Sequence, residues 1–543
     1  MAFTLTLMNQ THTYEAPVRL SDLIEDPDHR YFLARVNGRL FELSAEVSED
    51  ADIVFLDVTD DEAIYTYEAS MRYLVAMAIQ RVFPDAHVKF YFSVSRAVYL
   101  EFTDHAPSLT LTAIKRLIES EMDALIDADL PITRITVSKE AAASVYQAHG
   151  FTDKLETLKY RPEATVHLYQ CDDYHNYMYH HMVPSTGYLH TYRLTMEHPG
   201  LLIESPRAEL SGAIPAYTPE PVFKALLKDA NRRHERLDSE SVTAVNERVV
   251  TDAQTFIAEA ETEHVHALNK IQTHLDVFDS VRLVLLTGPS SSGKTTFTYK
   301  LKAHLENAGK KAVVISLDHY YLDRSKLKKE ADGSYDLETI HALDIPQFKA
   351  DIQTLIETNQ VFIPHFDFKT ESRQGGSELV IEPDTLILIE GIHALNPLLT
   401  DHLNKSWVFK LFISPHLQMR LDDHNPMRIT AVRLLRRIVR DIAFRGTDAI
   451  NTITMWESVR AGEFKWIYPF LETADFVFNS ALAYEMGALK PFALDALKAI
   501  DRKNPTYITA NRLIKYLKYY KTVDASLIPE DSLLREFIGG LTL

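Results

Sequence analysis

The stretch that decides the fold is Arg282-Leu283-Val284-Leu285-Leu286-Thr287, followed by Gly288-Pro289-Ser290-Ser291-Ser292-Gly293-Lys294-Thr295-Thr296. A short apolar run ends in a glycine-bounded loop. FTYKLKAHLENAG then continues at helical period, with Phe297, Leu301 and Leu305 on one face and Gly309 as a C-cap. The order is strand, phosphate loop, helix, and the spacing fits G-x-x-x-x-G-K-[ST]. In such a loop successive backbone N–H groups wrap anionic oxygens. Lys294 reaches the β- and γ-phosphates, and the Thr295 hydroxyl can ligand Mg²⁺. The stretch is read as a nucleotide-phosphate site.

Working outward, 543 residues are too many for one core and point to several domains. No apolar run approaches the ~18 residues of a membrane span, and MAFTLTLMNQ lacks the basic and apolar regions of a leader, so a cytoplasmic protein is expected. A single cysteine, Cys171, excludes an intramolecular disulfide and an all-thiolate metal site. A formal charge of −19 argues against a broad nucleic-acid surface, because such binding rests on neutralising phosphates. Oligomeric state is not legible in the sequence.

Residues 1–62 read as short alternating strands around one helical segment, a small α+β module. From 63 to about 220, helical AIYTYEASMRYLVAMAIQRVFP, strand-like VKFYFSV and AVYLEF, and further helices and strands make a second α+β domain. Residues 221–280 are polar and helical in composition and read as a connector. The phosphate-loop domain is expected over 281–498 and a helical tail over 499–543.

In the site-bearing half, AVVIS reads as the next parallel strand. Asp318 follows its C-terminal end, where open α/β sheets place ligands and where an acid can take a hydroxyl proton. The run LILIE ends in Glu390, placed to hold Mg²⁺ directly or through water. In TAVRLLRRIVRDIAFRG, Arg433, Arg436, Arg437 and Arg440 share one helix face with few compensating acids beyond Asp441, and transferring phosphates would relieve their repulsion. The helix is read as a phosphate lid.

These motifs in this order, GPSSSGKTT, LDHYY, SYDLETIHALD, IPHFDFKTESR, LILIEGIHAL and RLLRRIVRDIAFRG, make 281–498 similar to the uridine kinase and phosphoribulokinase family. The resemblance implies a P-loop kinase fold with a parallel sheet, ATP as donor with Mg²⁺, and a nucleoside-like or sugar-like hydroxyl as acceptor. It implies residues 288–296 as the ATP-binding set and Thr295 and Glu390 at the metal. Catalysis would fall to Lys294, Asp318 as base, and Arg436, Arg437 and Arg440, with Asp336 and Arg373 beside the acceptor. Uridine kinases carry a Tyr and a His in the segment where this chain has Phe366 and Glu371. Phe366 keeps a stacking surface without the hydroxyl, and Glu371 replaces a potential donor with an acceptor, which leaves the acceptor's identity open. Thr447 also stands where the family's lid commonly has an arginine.

The fragments LARVNGRLFELSAEVSEDADIVFL, EASMRYLVAMAIQRVFPDA and LYQCDDYHNYMYHHMVPSTGYLHTYRL resemble the N-terminal half of threonyl-tRNA synthetases, a ubiquitin-like TGS module and an editing-type domain. That family's His-x-x-x-His pair is matched here by Ala69 and Tyr73, so a degenerate site is expected, and His175, His180, His181 and His190 read as ordinary histidines. The whole arrangement, with its SLLREFIGG tail, resembles a bacterial group of nucleoside kinases. The expected fold is therefore multidomain α/β and α+β, with a P-loop parallel-sheet domain behind ubiquitin-like and synthetase-editing-like domains. The expected activity is ATP-dependent phosphorylation of a nucleoside-like small molecule. A sugar-phosphate or other metabolite kinase, or a nucleotide-binding regulator with little activity, stands as the alternative.

Overall fold

The computed structural model describes residues 2–542 except 8–9, 94–95, 104, 328–337, 368–369 and 371, and the side chain of Arg324. Asp336 and Glu371 therefore lie outside the described residues.

Alternation in the first strand, Phe3–Leu7, buries Phe3, Leu5 and Leu7 and leaves the threonines half-exposed. It sits second in a five-stranded sheet, between Gln10–Tyr14 and Ala51–Asp57, with Tyr31–Val36 and Arg39–Phe41 beyond. Asp60 caps the next helix, Asp61–Val82, by accepting from the Glu62 N–H. Its residues from Ala63 to Ile79 are almost all buried, so this helix is the axis of the second core rather than an amphipathic surface helix. A three-stranded and a four-stranded antiparallel sheet complete that region, built from strands between Val88 and Glu204.

The phosphate-loop region is a five-stranded parallel sheet in the order Ala312–Ser316, Leu386–Glu390, Leu283–Thr287, Val408–Ser414, Phe476–Asn479. The first of these strands in the chain, Leu283–Thr287, lies at the centre and is buried at every position, as a strand covered on both faces requires. The next two strands pass to one side and the last two to the other. The loop after the central strand thus opens at the switch point where such sheets bind ligands.

Two segments beyond the motifs share this core. The helix Val242–Val277 buries Phe256, Ile257, Ala260, Leu268, Ile271 and Leu275 in the cluster that holds Val284, Leu286 and Phe297, so it is a layer of the domain and not merely a spacer. Leu513, Leu517, Tyr520, Leu533, Leu534 and Phe537 of the C-terminal segment join the same cluster.

The two halves of the chain are interlocked. Arg428 pairs with Glu68 and Arg512 with Glu62, while Lys154 pairs with Asp422 in a fully buried contact. The Phe90 N–H donates to the Asp423 carbonyl at 2.8 Å, and the rings of Tyr179 and Tyr516 stack at 4.6 Å.

Candidate active site

The phosphate loop is shaped by close backbone approaches. A Cβ on Gly288 would stand 2.0 Å from the Ile413 carbonyl oxygen of the neighbouring strand. Gly293 takes φ +85° at the start of the helix Lys294–Asn307, and a Cβ there would meet the Leu533 side chain at 2.1 Å. Thr295 is exposed at the helix N-terminus, where its hydroxyl is open to a ligand.

Lys294 is half-buried and its ammonium donates to the Pro289 carbonyl at 3.3 Å. Burial pushes its pKa down, and the carboxylates of Glu390 and Asp318 oppose that shift. Glu390 closes the strand beside the central one, in register with Leu286 on one side and Ser316 on the other. The Ser316 hydroxyl donates to Glu390 Oε1 at 2.7 Å and accepts from the Asp318 N–H at 3.3 Å, so one serine ties the two acids together. Burial raises the Asp318 pKa while Lys294 and His319 hold it down. Burial and then the Asp318 charge raise that of Glu390. Lys294, Asp318 and Glu390 thus meet at one end of the sheet, as expected from their places after three strands.

The arginine helix, Ile429–Arg440, differs from the expectation of four arginines facing phosphate. Arg433 and Arg436 are among the largest fully buried side chains of the protein. Arg433 pairs with buried Glu463, Nη1 lying 2.9 Å from Oε2, and donates to the Ser290 carbonyl. Arg436 donates to Glu485 Oε2 at 2.6 Å and to the Ser480 carbonyl at 2.8 Å. The reason is electrostatic: the compensating acids exist, but they lie 30 and 49 residues along the chain. Arg436, expected to be catalytic, is instead a brace behind the loop, since Ser480, which it touches, donates to the Ser292 carbonyl at 2.6 Å. Arg437 reaches the loop itself, donating to Ser290 Oγ at 2.8 Å. Arg440 and Arg437 flank Asp441, as does Arg445 in the π-turn Asp441–Arg445 that follows. Ser290 is thereby held on three sides, for its own N–H donates to Glu463 at 3.1 Å.

Substituting Arg436 by methionine is expected to cost about 3–5 kcal/mol, because the Glu485 carboxylate would be left charged and unpaired in the core. A lowered urea midpoint, largely recovered in Arg436→Met combined with Glu485→Leu, checks this.

On the acceptor side, Phe366 is buried in the strand Gln360–Asp367, with its ring 5.8 Å from that of Tyr321. Arg373, expected beside the acceptor, donates through Nε to the Tyr321 carbonyl, through Nη2 to the Tyr320 carbonyl and through Nη1 to Asp344. Nε and Nη2 thus hold the end of the turn that carries Asp318, and Nη1 ties it to Asp344, the cap of the helix Ile345–Thr358.

Glu536 was not singled out from the sequence. Its carboxylate accepts from the Thr296 hydroxyl at 2.7 Å and lies within electrostatic reach of Lys294, Glu390 and Arg445. The tail is pinned there by Lys300, which donates to Asp531, and by Phe537, over which the Arg436 guanidinium lies at 5.1 Å. The quoted tail SLLREFIGG was the available signal, but nothing local in it indicates an approach to a loop 240 residues away.

In the N-terminal half, the Tyr73 hydroxyl lies 3.0 Å from the Tyr174 carbonyl and 3.2 Å from that of Tyr169, filling the helix position matched to a histidine. Cys171 is buried, and burial pushes its thiol up to about 11. Among the described residues no group of three His, Cys, Asp or Glu side chains is placed to hold a metal. His181 approaches Glu42, His175 bonds the Asp173 carbonyl and His190 that of Gly187, whereas His180 is kept neutral by burial and by Arg428, Arg72 and Arg512. No helix among the described residues is long and apolar enough to cross a membrane.

Comparisons with known proteins fall on two different stretches of the chain. The model of the Phosphoribulokinase / Uridine kinase family matches residues 283–485. Over the N-terminal region the chain is 30% identical to the threonine–tRNA ligase of Carboxydothermus hydrogenoformans across 162 residues, and 31% identical to that of Desulforamulus reducens across 161. Each match covers 30% of this chain and 25% of the ligase, so the chain spans about a quarter of the length of these curated relatives. Among solved structures, that of a possible uridine kinase from Bacillus stearothermophilus matches at 17% identity and a TM-score of 0.25, covering 39% of this chain and 100% of that chain. Residues 283–485 thus match the model of the Phosphoribulokinase / Uridine kinase family, and the N-terminal region is similar to threonine–tRNA ligases.

Proposed function

We propose that this protein transfers the γ-phosphoryl group of ATP to a hydroxyl of a nucleoside-like small molecule. The observation that carries the reading is the convergence of Lys294, Asp318 and Glu390 beside the phosphate loop at the switch point of a parallel sheet. The loop N–H groups and Lys294 hold the phosphates. Asp318 accepts the proton of the acceptor hydroxyl as its oxygen bonds the γ-phosphorus and the bond to the bridging oxygen breaks, leaving ADP. Arg437, which touches Ser290, and Arg440, whose charge reaches Lys294, offset charge on the transferring group. The donor set fits Mg²⁺: Thr295 offers an exposed hydroxyl and Glu390 a carboxylate, both hard oxygen donors. That ion, when bound, neutralises phosphate charge. Asp336 and Glu371 are proposed to line the acceptor side with Phe366. A panel of nucleosides and other hydroxylated metabolites with ATP and Mg²⁺, read by phosphorylated product, tests the reading; ATP binding with no product from the panel contradicts it.

A specific observation favours a second reading, a nucleotide-binding regulator with little transfer activity. Glu536 places a carboxylate on Thr296 inside the loop's positive field, where it competes with phosphate. Replacing Glu536 by glutamine is expected to tighten ATP binding about tenfold, or ~1.4 kcal/mol, measured by calorimetry. If the acceptor turns over in the wild-type chain, this carboxylate tunes affinity; if turnover requires the substitution, the regulatory reading gains.

A further inference from the structure

One concavity among the described residues lies away from the phosphate loop. It is a cavity of about 480 Å³, within the range of small-molecule sites (~300–1,000 Å³), walled by segments remote in sequence together with Glu62 of the helix Asp61–Val82. The first N-terminal sheet contributes residues 39–45, the second domain residues between 134 and 181, and the C-terminal segment residues 507–518.

Its charge is unbalanced. Six cations line it: Arg39, Arg134, Arg161, Arg512, Lys515 and Lys518. Three carboxylates line it too, and each is engaged. Glu62 pairs with Arg512, and Glu163 pairs with Lys518 at 2.8 Å and faces Arg161 at 3.5 Å. Glu42 accepts from the Tyr169 hydroxyl and lies 3.5 Å from His181. Arg39, Arg134 and Lys515 form no close ion pair among the described residues, although Glu42 lies within electrostatic reach of Arg134 and Glu62 of Lys515, on a chain whose net charge is −19.

These three are exposed, and solvated surface cations would need no explanation singly. Two neighbours show that they act on a common space. Burial lowers the Lys515 pKa, and Lys518, Arg134 and Arg39 lower it further against the pull of Glu62; burial, Arg134, Arg161 and Lys515 do the same to His167 against that of Glu42. The chain thus gathers six cations around a concave surface against three carboxylates, which offset their mutual repulsion only in part. Apolar faces are present as well: Phe41, with the Arg39 guanidinium 5.5 Å above its ring, and Tyr177, with that of Arg161 at 5.7 Å. Guanidinium forks and ammonium groups around aromatic rings are the chemistry that recognises a phosphorylated ring compound.

We propose that this cavity binds a small phosphorylated ring compound, its anionic group held by Arg39, Arg134 and Lys515 and its body against Phe41 and Tyr177. The site is separate from the phosphate loop and does not depend on the transfer activity.

Inorganic pyrophosphate is the probe. To weaken binding at the loop, the full chain carrying Lys294→Ala is titrated by calorimetry, alone and with Arg134→Glu and Lys515→Glu added. Both added positions are exposed, and unchanged thermal unfolding without ligand confirms folding. The expected result is saturable 1:1 binding in the Lys294→Ala chain, weakened at least tenfold by the two charge reversals. Absence of saturable binding overturns the proposal, as does equal affinity after charge reversal, which would place the anion at the loop. Citrate binding as tightly as pyrophosphate would overturn the assignment to phosphate.

Discussion

Replacing Asp318 by asparagine is expected to lower phosphoryl transfer by about 10²–10⁴-fold, the range for a positioned general base, while ATP affinity stays within twofold. Asparagine preserves the shape of the turn and its place beside Ser316, yet cannot take a proton. The environment of Asp318 adds a pH signature. Burial raises its pKa against the pull of Lys294, so the proton leaves at higher pH than from an ordinary aspartate. A base must be ionised to act. The acid limb of kcat/KM is therefore expected above the usual aspartate range near ~4, with activity lost as pH falls through it. Full transfer in Asp318→Asn against the acceptor would remove the assignment.

The second large effect is at Lys294. Alanine there is expected to cost at least ~10²–10³-fold in transfer, the scale of losing one preorganised electrostatic contact, and to weaken ATP binding as well. The two acids give this variant its own readout. Lys294 lowers the pKa of both Asp318 and Glu390, so its removal lets burial raise them further. Residual activity in Lys294→Ala should show its acid limb at higher pH than the wild type. A limb that stays in place, measured over pH 4–8, would mean that the lysine and the base are not coupled as the geometry has them.

Why some of this was legible in the sequence and some was not follows from the range of each interaction. The strand Leu283–Thr287, the loop and the helix after it are encoded within 25 residues by an apolar run, two glycines and a helical period. Asp318 and Glu390 were visible because an acid after a buried strand is also a local pattern. The arginine helix shows where this stops. Its period was plain, but whether Arg433 and Arg436 face solvent, phosphate or buried acids depends on Glu463 and Glu485, which arrive from other elements. Like charges on one face read as strain when the partners are out of sequence range. The same holds for Arg373, whose carbonyl partners belong to a turn 52 and 53 residues earlier, and for Glu536 on the phosphate loop. The polar composition of 221–280 suggested a connector, because its buried residues recur along only one side of a long helix and are diluted by the exposed ones.

The central claim is that the carboxylate beside the phosphate loop takes a hydroxyl proton during transfer from ATP. The most direct measurement is single-turnover transfer of labelled γ-phosphate, with Mg²⁺ and the metabolite panel, comparing the wild-type chain with Asp318→Asn at saturating ATP. The account predicts a labelled, phosphorylated hydroxyl compound from the wild type and at least a hundredfold slower labelling from Asp318→Asn (~2.7 kcal/mol), with ATP bound equally by both. Equal labelling rates, or label released only as inorganic phosphate, would contradict it.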